Sequence, residues 1–110
     1  MKGTYLGEFE EIVLLAVGIL QDTAYGVGIC KEIENQTGRS VNIGAVHTAL
    51  HRLEEKGFLK SKFGEATEVR GGKRKRIFAL TPYGVKALRE AQELRNHMWS
   101  QLPKIILQRN

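Results

Sequence analysis

The stretch from Val41 to Gly57, VNIGAVHTALHRLEEKG, is the feature that most constrains how this chain can fold. Its apolar residues recur at helical intervals and form one stripe, made of Ile43, Val46, Leu50 and Leu53. Asn42 is a suitable N-cap because its side chain can accept hydrogen bonds from free N–H groups. Gly57 can adopt the left-handed conformation that ends a helix. The segment therefore predicts a helix with well-marked ends.

The side of this helix opposite the apolar stripe begins with small residues and continues with hydrogen-bonding ones. At about 100° per residue, this side holds Gly44, Thr48, His51 and Glu55, with Ala45 and Arg52 on one flank and His47 on the other. Small side chains allow a helix to enter a DNA groove, where donors and acceptors can contact base edges. The pattern indicates a DNA recognition helix. The alternative is an ordinary amphipathic helix with a solvated face.

Two more helices are predicted before this one. The first, from Gly7 to Leu20, has an acidic first turn that suits the positive end of the helix dipole. It is apolar over so wide an arc that we expect a second subunit to cover part of it. The second runs from about Ala24 to Thr37, with Thr23 as its cap, and ends at Gly38. Because only a short turn separates it from the Val41 to Gly57 helix, the two have the helix-turn-helix layout.

From Phe58 onward the sequence changes from a helical period towards the alternation of a strand. Alternating residues at 59–63 and 76–80 flank a loop with a glycine pair, so the segment predicts a β-hairpin. The hairpin tip carries five basic residues, which are Arg70, Lys73, Arg74, Lys75 and Arg76. Residues 58–81 hold seven basic and two acidic side chains, whereas residues 1–57 hold five and eight. Such a localised basic patch predicts a polyanionic partner, nucleic acid before a membrane.

Thr81 and Pro82 predict the start of a last helix, because threonine can cap it and proline suits its first turn. Pro103 is expected to end or kink this helix. At about five turns, it has more apolar length than a small domain can cover. We therefore expect it to form a dimer interface through Leu88, Ala91, Leu94, Met98 and Leu102. Residues 1–81 would form the DNA-binding part and residues 82–110 the dimerisation helix and tail of one compact unit.

The composition excludes several other classes of protein. The longest apolar run, Ile12 to Leu20, is too short to span a bilayer and follows three glutamates rather than a signal-peptide pattern, so a cytoplasmic protein is expected. A single cysteine, Cys30, excludes an internal disulfide. No serine lies beside a histidine and an acid in a catalytic order, so we expect neither an enzyme nor a cofactor.

The order and spacing of several short motifs resemble the PadR family of transcriptional regulators, which are winged helix-turn-helix proteins. The matching pieces are Leu6-Gly7 with Glu10, AYG at 24–26, GAV at 44–46, LHRLEEKG at 50–57 and RIFALTPYG at 76–84. Together they cover most of the chain, from about Leu6 to Leu94. Two positions depart from the pattern: His47 stands where relatives usually have tyrosine, and Gly28 replaces a bulkier residue.

The resemblance implies a mainly helical α+β fold with a three-helix core, a two-stranded basic wing and a C-terminal dimerisation helix. It also implies a homodimer that binds a pseudo-palindromic operator in double-stranded DNA, usually as a repressor. The recognition helix would read the major groove through Gly44, Ala45, His47, Thr48 and His51, while the basic wing tip would hold the DNA backbone. Some relatives sense flat hydrophobic compounds between their last helices, which makes Trp99 a candidate effector contact.

Two alternatives from other classes remain open. A winged helix can serve as a protein-interaction module without binding DNA, although the basic hairpin argues against this. A metal- or thiol-responsive sensor could use His47 and His51, which have the spacing of zinc-binding helices, or Cys30. The pair lacks an intervening glutamate and no Cys-x-x-Cys accompanies it, so we expect no metal site.

Overall fold

A computed structural model describes residues 5–64 and 75–108. Four helices and a two-stranded antiparallel sheet are the main elements, and they follow the predicted order. They are α1 (Glu8–Leu20), α2 (Gly26–Thr37), α3 (Ile43–Glu55), β1 (Leu59–Phe63), β2 (Arg76–Leu80) and α4 (Pro82–Ser100), followed by the short helix α5 (Lys104–Leu107). A 3-10 turn, Gln21–Thr23, links α1 to α2. The expected mainly helical α+β architecture is confirmed.

The core lies where α1, α2, α3 and the sheet meet. Helix α3 contributes Val46, Leu50 and Leu53 of its predicted stripe, and each is at most 1% exposed. Ile43, the first residue of that stripe, is 43% exposed because it lies in the first turn of α3, at the edge of the core. In the part of the chain that the structure describes, no helix is long and apolar enough to cross a membrane.

The predicted starts of α3 and α4 are confirmed by their capping contacts. Asn42 Oδ1 accepts hydrogen bonds from the backbone N–H of Gly44 at 2.6 Å and of Ala45 at 3.3 Å. The Thr81 hydroxyl accepts from the Gly84 N–H at 3.0 Å and donates to the Gly57 carbonyl at 2.6 Å. Local sequence chemistry therefore fixes both helix starts.

The start of α2 differs from the prediction. The Thr23 hydroxyl donates to the Leu20 carbonyl at 2.8 Å instead of capping α2, and the helix begins at Gly26. The reason is a non-local bond, since the Ala24 carbonyl accepts from the Phe78 N–H of β2 at 2.8 Å. This bond holds the chain extended beside the sheet until Tyr25, so Ala24 cannot join the helix.

The two strands pair with Leu59 opposite Leu80, Ser61 opposite Phe78 and Phe63 opposite Arg76. These pairs share the sheet face that contains the buried Leu59 and Phe78, whereas Lys60 and Lys62 lie on the other face. The predicted hairpin is confirmed for both strands. The basic-tip residues Arg70, Lys73 and Arg74 lie outside the described residues.

Helix α4 leaves the core after its first turns. Gly84 and Ala87 are buried, whereas Leu94, Met98 and Trp99 are exposed. An ion pair of 3.0 Å between Arg95 and Glu11 ties its middle to α1. The chain extends 60 × 34 × 20 Å with a radius of gyration of 16.6 Å, against about 13 Å expected for a compact chain of this length. The C-terminal helix therefore projects from the body.

Candidate nucleic-acid interface

Helix α3 presents one side to solvent, and that side is the predicted recognition face. Its central strip consists of Gly44, Thr48, His51 and Glu55, all of which are exposed. The two flanks of the strip contact different parts of the molecule. One flank, with Ala45, Arg52 and Lys56, faces the segment before α1 and its first turn. The other, with His47 and Glu54, faces α2 and the sheet.

The side chains of the central strip have defined hydrogen-bonding roles. The Thr48 hydroxyl donates to the Gly44 carbonyl at 3.0 Å, so its proton is used and its lone pairs point to solvent as acceptors. His51 Nε2 lies 3.4 Å from Glu55 Oε2, and both side chains are about two-thirds or more exposed, at 71% and 66%. The strip can therefore offer Thr48 and Glu55 as acceptors and His51 as either a donor or an acceptor.

On the sheet-side flank, His47 packs against the start of α2. A Cβ added at Gly26 would lie 3.0 Å from His47 Cε1, so the His47 ring would have to shift to admit a larger residue. Lys75 Nζ lies 4.1 Å from the centre of the neighbouring Tyr25 ring, in a cation–π contact. His47 and Lys75, two predicted DNA-binding residues, thus lie beside the same end of α2.

Arg76 is held in a hydrogen-bond network that no sequence motif indicates. Its Nη2 atom donates to Glu54 Oε1 at 2.8 Å, and its Nε atom donates to the Ser61 hydroxyl at 2.9 Å. The Ser61 hydroxyl in turn donates to Glu54 Oε2 at 2.6 Å. These three side chains join the base of the hairpin to α3. Because 22 residues separate Glu54 from Arg76, no local pattern could have indicated the contact.

The other flank carries two ion pairs between α1 and the helix-turn-helix. Lys56 Nζ lies 3.0 Å from Glu10 Oε1, and Arg39 Nη1 lies 2.9 Å from Glu8 Oε2. Burial opposes ionisation of Glu10, but hydrogen bonds from Lys56 and the Gly7 N–H outweigh it and hold the pKa of the carboxyl below its ordinary value. Glu8 and Glu10 are therefore each neutralised by a basic partner.

The predicted dimer-interface residues lie on one side of α4 and its extension. Leu88 packs against the core and Ala91 is half-buried. Leu94 is 58% exposed, Met98 61% and Leu102 38%, and Trp99 beside them is 64% exposed. Among the described residues of a single chain, nothing covers the outer part of this apolar face.

The residues proposed for the alternative metal or thiol sensor are His47, His51 and Cys30. The described residues contain no group of three His, Cys, Asp or Glu side chains that could hold a metal ion, and this includes the surroundings of His47 and His51. Burial, with a smaller contribution from Glu34, raises the pKa of the half-buried Cys30 thiol. A raised pKa keeps the thiol protonated and less reactive.

Comparison with known proteins agrees with this geometry. The profile of the Transcriptional regulator PadR-like family matches residues 14–90. Comparison with curated protein sequences gives no match. The fold is similar to that of a transcriptional regulator from Clostridium thermocellum, with 25% identity, 87% of this chain and 93% of that chain covered, and a TM-score of 0.68.

Two further solved structures share the fold. A PadR family transcriptional regulator from Eggerthella lenta has 22% identity, 93% and 88% coverage and a TM-score of 0.70. A PadR-like regulator from Bacillus cereus has 17% identity, 93% coverage of both chains and a TM-score of 0.71. The predicted winged helix-turn-helix is thereby confirmed. Because the family profile covers more than half of its length, the chain belongs to the PadR-like family of DNA-binding transcriptional regulators.

Proposed function

We propose that this chain forms a homodimer that binds a pseudo-palindromic operator in double-stranded DNA, represses transcription there and releases the DNA when a small molecule binds. The exposed central strip of α3 carries the proposal. It combines a glycine at its N-terminal end with the Thr48, His51 and Glu55 side chains, which can pair with base edges in a major groove. Residues 1–81 supply the DNA-binding part and residues 82–110 the dimer contacts.

In this proposal the recognition helix supplies sequence preference and the wing supplies affinity. The Thr48 hydroxyl accepts a hydrogen bond from a base amino group, because its own O–H already donates to the Gly44 carbonyl. Because His47 packs beside the start of α2, near Lys75, we assign it to the DNA backbone instead of the base edges that the resemblance implies. Lys75 and the tip residues Arg70, Lys73 and Arg74 contact the backbone with it. Arg76 has a different role, since its bonds to Glu54 and Ser61 support its assignment as a positioning residue that fixes the wing against α3.

This division of roles predicts opposite effects for two sets of substitutions. We expect Thr48→Ala or His51→Ala to relax base preference at one position per half-site, by about 1–3 kcal/mol, with little change in salt dependence. We expect the triple substitution of Lys73, Arg74 and Lys75 by alanine to weaken binding to every sequence alike. If a dimer neutralises about eight phosphates, log K should fall with log salt with a slope near −7, and the triple variant should flatten it.

Fluorescence anisotropy with operator and random DNA across a salt series measures both effects. Substitution of the exposed Lys31 on α2 by alanine serves as the control for loss of one positive charge outside α3 and the wing. A wing triple variant that keeps its affinity for random DNA would contradict the role assigned to the wing.

Effector release is proposed to involve Trp99. The 64% exposure of this side chain in a single chain leaves its ring free to line a cleft between two last helices. Tryptophan offers area and a stacking face to flat apolar molecules. Such a ligand must bind the DNA-incompetent dimer better, by about 1.4 kcal/mol for each tenfold loss of operator affinity.

The only tryptophan in the chain gives a direct measurement of this step. We expect planar aromatic cations or phenolic acids to quench Trp99 fluorescence saturably and to lower operator affinity over the same concentration range. Trp99→Leu should remove the effect on DNA binding while the dimer persists. Quenching that leaves operator affinity unchanged would contradict an inducer site at this position.

A further inference from the structure

A groove of about 560 Å³ lies between the segment before α1 and the flank of α3 that faces it. Tyr5, Glu8, Glu10, Thr48 and Arg52 supply its polar side chains, and Ala45 is a small residue in its lining. Tyr5 is 82% exposed although it is a large aromatic residue. Thr48 belongs both to the groove and to the central strip of α3, so the two surfaces adjoin.

The backbone next to Tyr5 is anchored, although the Tyr5 side chain is exposed. Leu6, the next residue, is only 8% exposed and belongs to the core. The Gly7 N–H donates to Glu10 Oε1 at 3.1 Å, which anchors the backbone at the start of α1. Because this backbone is already ordered next to α3, binding a ligand there costs only the conformational entropy of the Tyr5 side chain.

The charge of the groove favours a polyanion. Its two acidic residues are each neutralised, Glu8 by Arg39 and Glu10 by Lys56. The exposed Arg52 makes no ion pair within 4 Å among the described residues, apart from a weaker long-range attraction to Glu10. A guanidinium without an ion pair among the described residues therefore lies beside the central strip of α3, next to a phenol that can donate a hydrogen bond to a phosphate oxygen.

From this geometry we infer that Tyr5 and Arg52 form a second clamp on the DNA backbone, on the side of α3 opposite the wing. Arg52 binds a phosphate through its guanidinium. The Tyr5 ring packs against the adjoining sugar while its hydroxyl donates to a phosphate. The wing would then contact one DNA strand, and the Tyr5–Arg52 clamp the other, on the two sides of the major groove that α3 enters. The inference rests on the proposed function, because it requires α3 to lie in that groove.

The test compares three single variants on full-length protein, using the wild-type operator and random DNA over a salt series. Arg52→Gln should weaken binding to both DNAs about five- to tenfold and reduce the salt slope by about one per protomer, with base preference unchanged. Tyr5→Ala should weaken both by about threefold without changing base preference. Arg89→Gln, an equal loss of charge on the exposed side of α4, should match wild type.

A measured melting temperature close to wild type for each variant shows that the fold is kept, as expected for exposed side chains. Unchanged affinity and slope in Arg52→Gln, or a change of base preference at a single position, would overturn the backbone clamp. Wild-type affinity of the Tyr5→Ala variant would show that Tyr5 is not part of the clamp. If wild type itself shows no operator preference, the proposed function fails instead, so the two failures are distinguishable.

Discussion

We expect Gly84→Ala to destabilise the fold more than any other single-methyl change that the described glycines allow. A Cβ at this position would lie 2.1 Å from the Phe58 carbonyl oxygen and 3.0 Å from its carbon. The clash is with backbone, and the same carbonyl accepts a hydrogen bond from the Thr81 N–H at 3.1 Å. The first turn of α4 can therefore avoid the clash only by moving away from the β1 entry and from the buried Phe58 ring.

The cost should reach the upper end of the range for overpacking, about 3 kcal/mol or more. For a domain of this size that corresponds to a fall in melting temperature of roughly 12–24 °C. Gly38→Ala is the matched control, because a methyl there meets nothing within 4 Å and only the positive φ of 72° costs stability, about 1 kcal/mol. Equal melting temperatures for the two variants, measured at one protein concentration, would contradict the account of how α4 joins the core.

The second large effect is expected from Leu94→Glu. Leu94 is 58% exposed in a single chain, so a glutamate there should leave the fold of one subunit intact. In the proposed dimer it would place an unpaired charge in an apolar interface, at a cost of about 3–5 kcal/mol for each buried ion. The dissociation constant of the dimer should then rise by more than about a hundredfold. Operator affinity should fall as well, because the two subunits no longer bind the two half-sites together.

Sedimentation velocity at micromolar concentration and operator binding by anisotropy measure the two losses on the same samples. Asn96→Glu introduces the same charge on the side of α4 away from Leu94 and should behave as wild type. A stable wild-type monomer at that concentration would contradict the dimer. So would a monomeric Leu94→Glu variant that keeps full operator affinity.

The sequence was sufficient for those parts of the fold that depend on local chemistry. Three kinds of prediction depend on only a few neighbouring residues, and they are confirmed. They are the helix period of α3, the Asn42 and Thr81 caps, and the glycine that ends α2. The start of α2 was predicted wrongly for the opposite reason. Its position is set by the bond between Ala24 and Phe78, whose partners lie 54 residues apart.

The candidate site divides in the same way. Periodicity alone placed Gly44, Thr48 and His51 on one exposed strip of α3, because a helix wheel needs only local spacing. The contacts on both flanks of that strip depend on tertiary packing. The Glu54 to Arg76 bond and the Lys56 to Glu10 pair join residues 22 and 46 positions apart, so no short motif could reveal them.

Tyr5 illustrates a third case, in which the residue was visible but its neighbours were not. In the sequence it is one aromatic residue in a short segment before the first helix, with no pattern to assign it a role. Only the packing of Leu6 into the core and of α1 against α3 brings it beside Arg52. Arg70, Lys73 and Arg74 at the wing tip are the converse, since their charges are evident from the sequence but they lie outside the described residues.

The central claim is that two copies of α3 read a two-fold symmetric DNA sequence. Selection of bound molecules from a random double-stranded DNA pool, at one fixed salt concentration, tests it most directly. We predict enrichment of an inverted repeat whose half-site centres are about one helical turn apart, or a multiple of it. A bound pool that stays random, or that converges on a motif without two-fold symmetry, would contradict the claim.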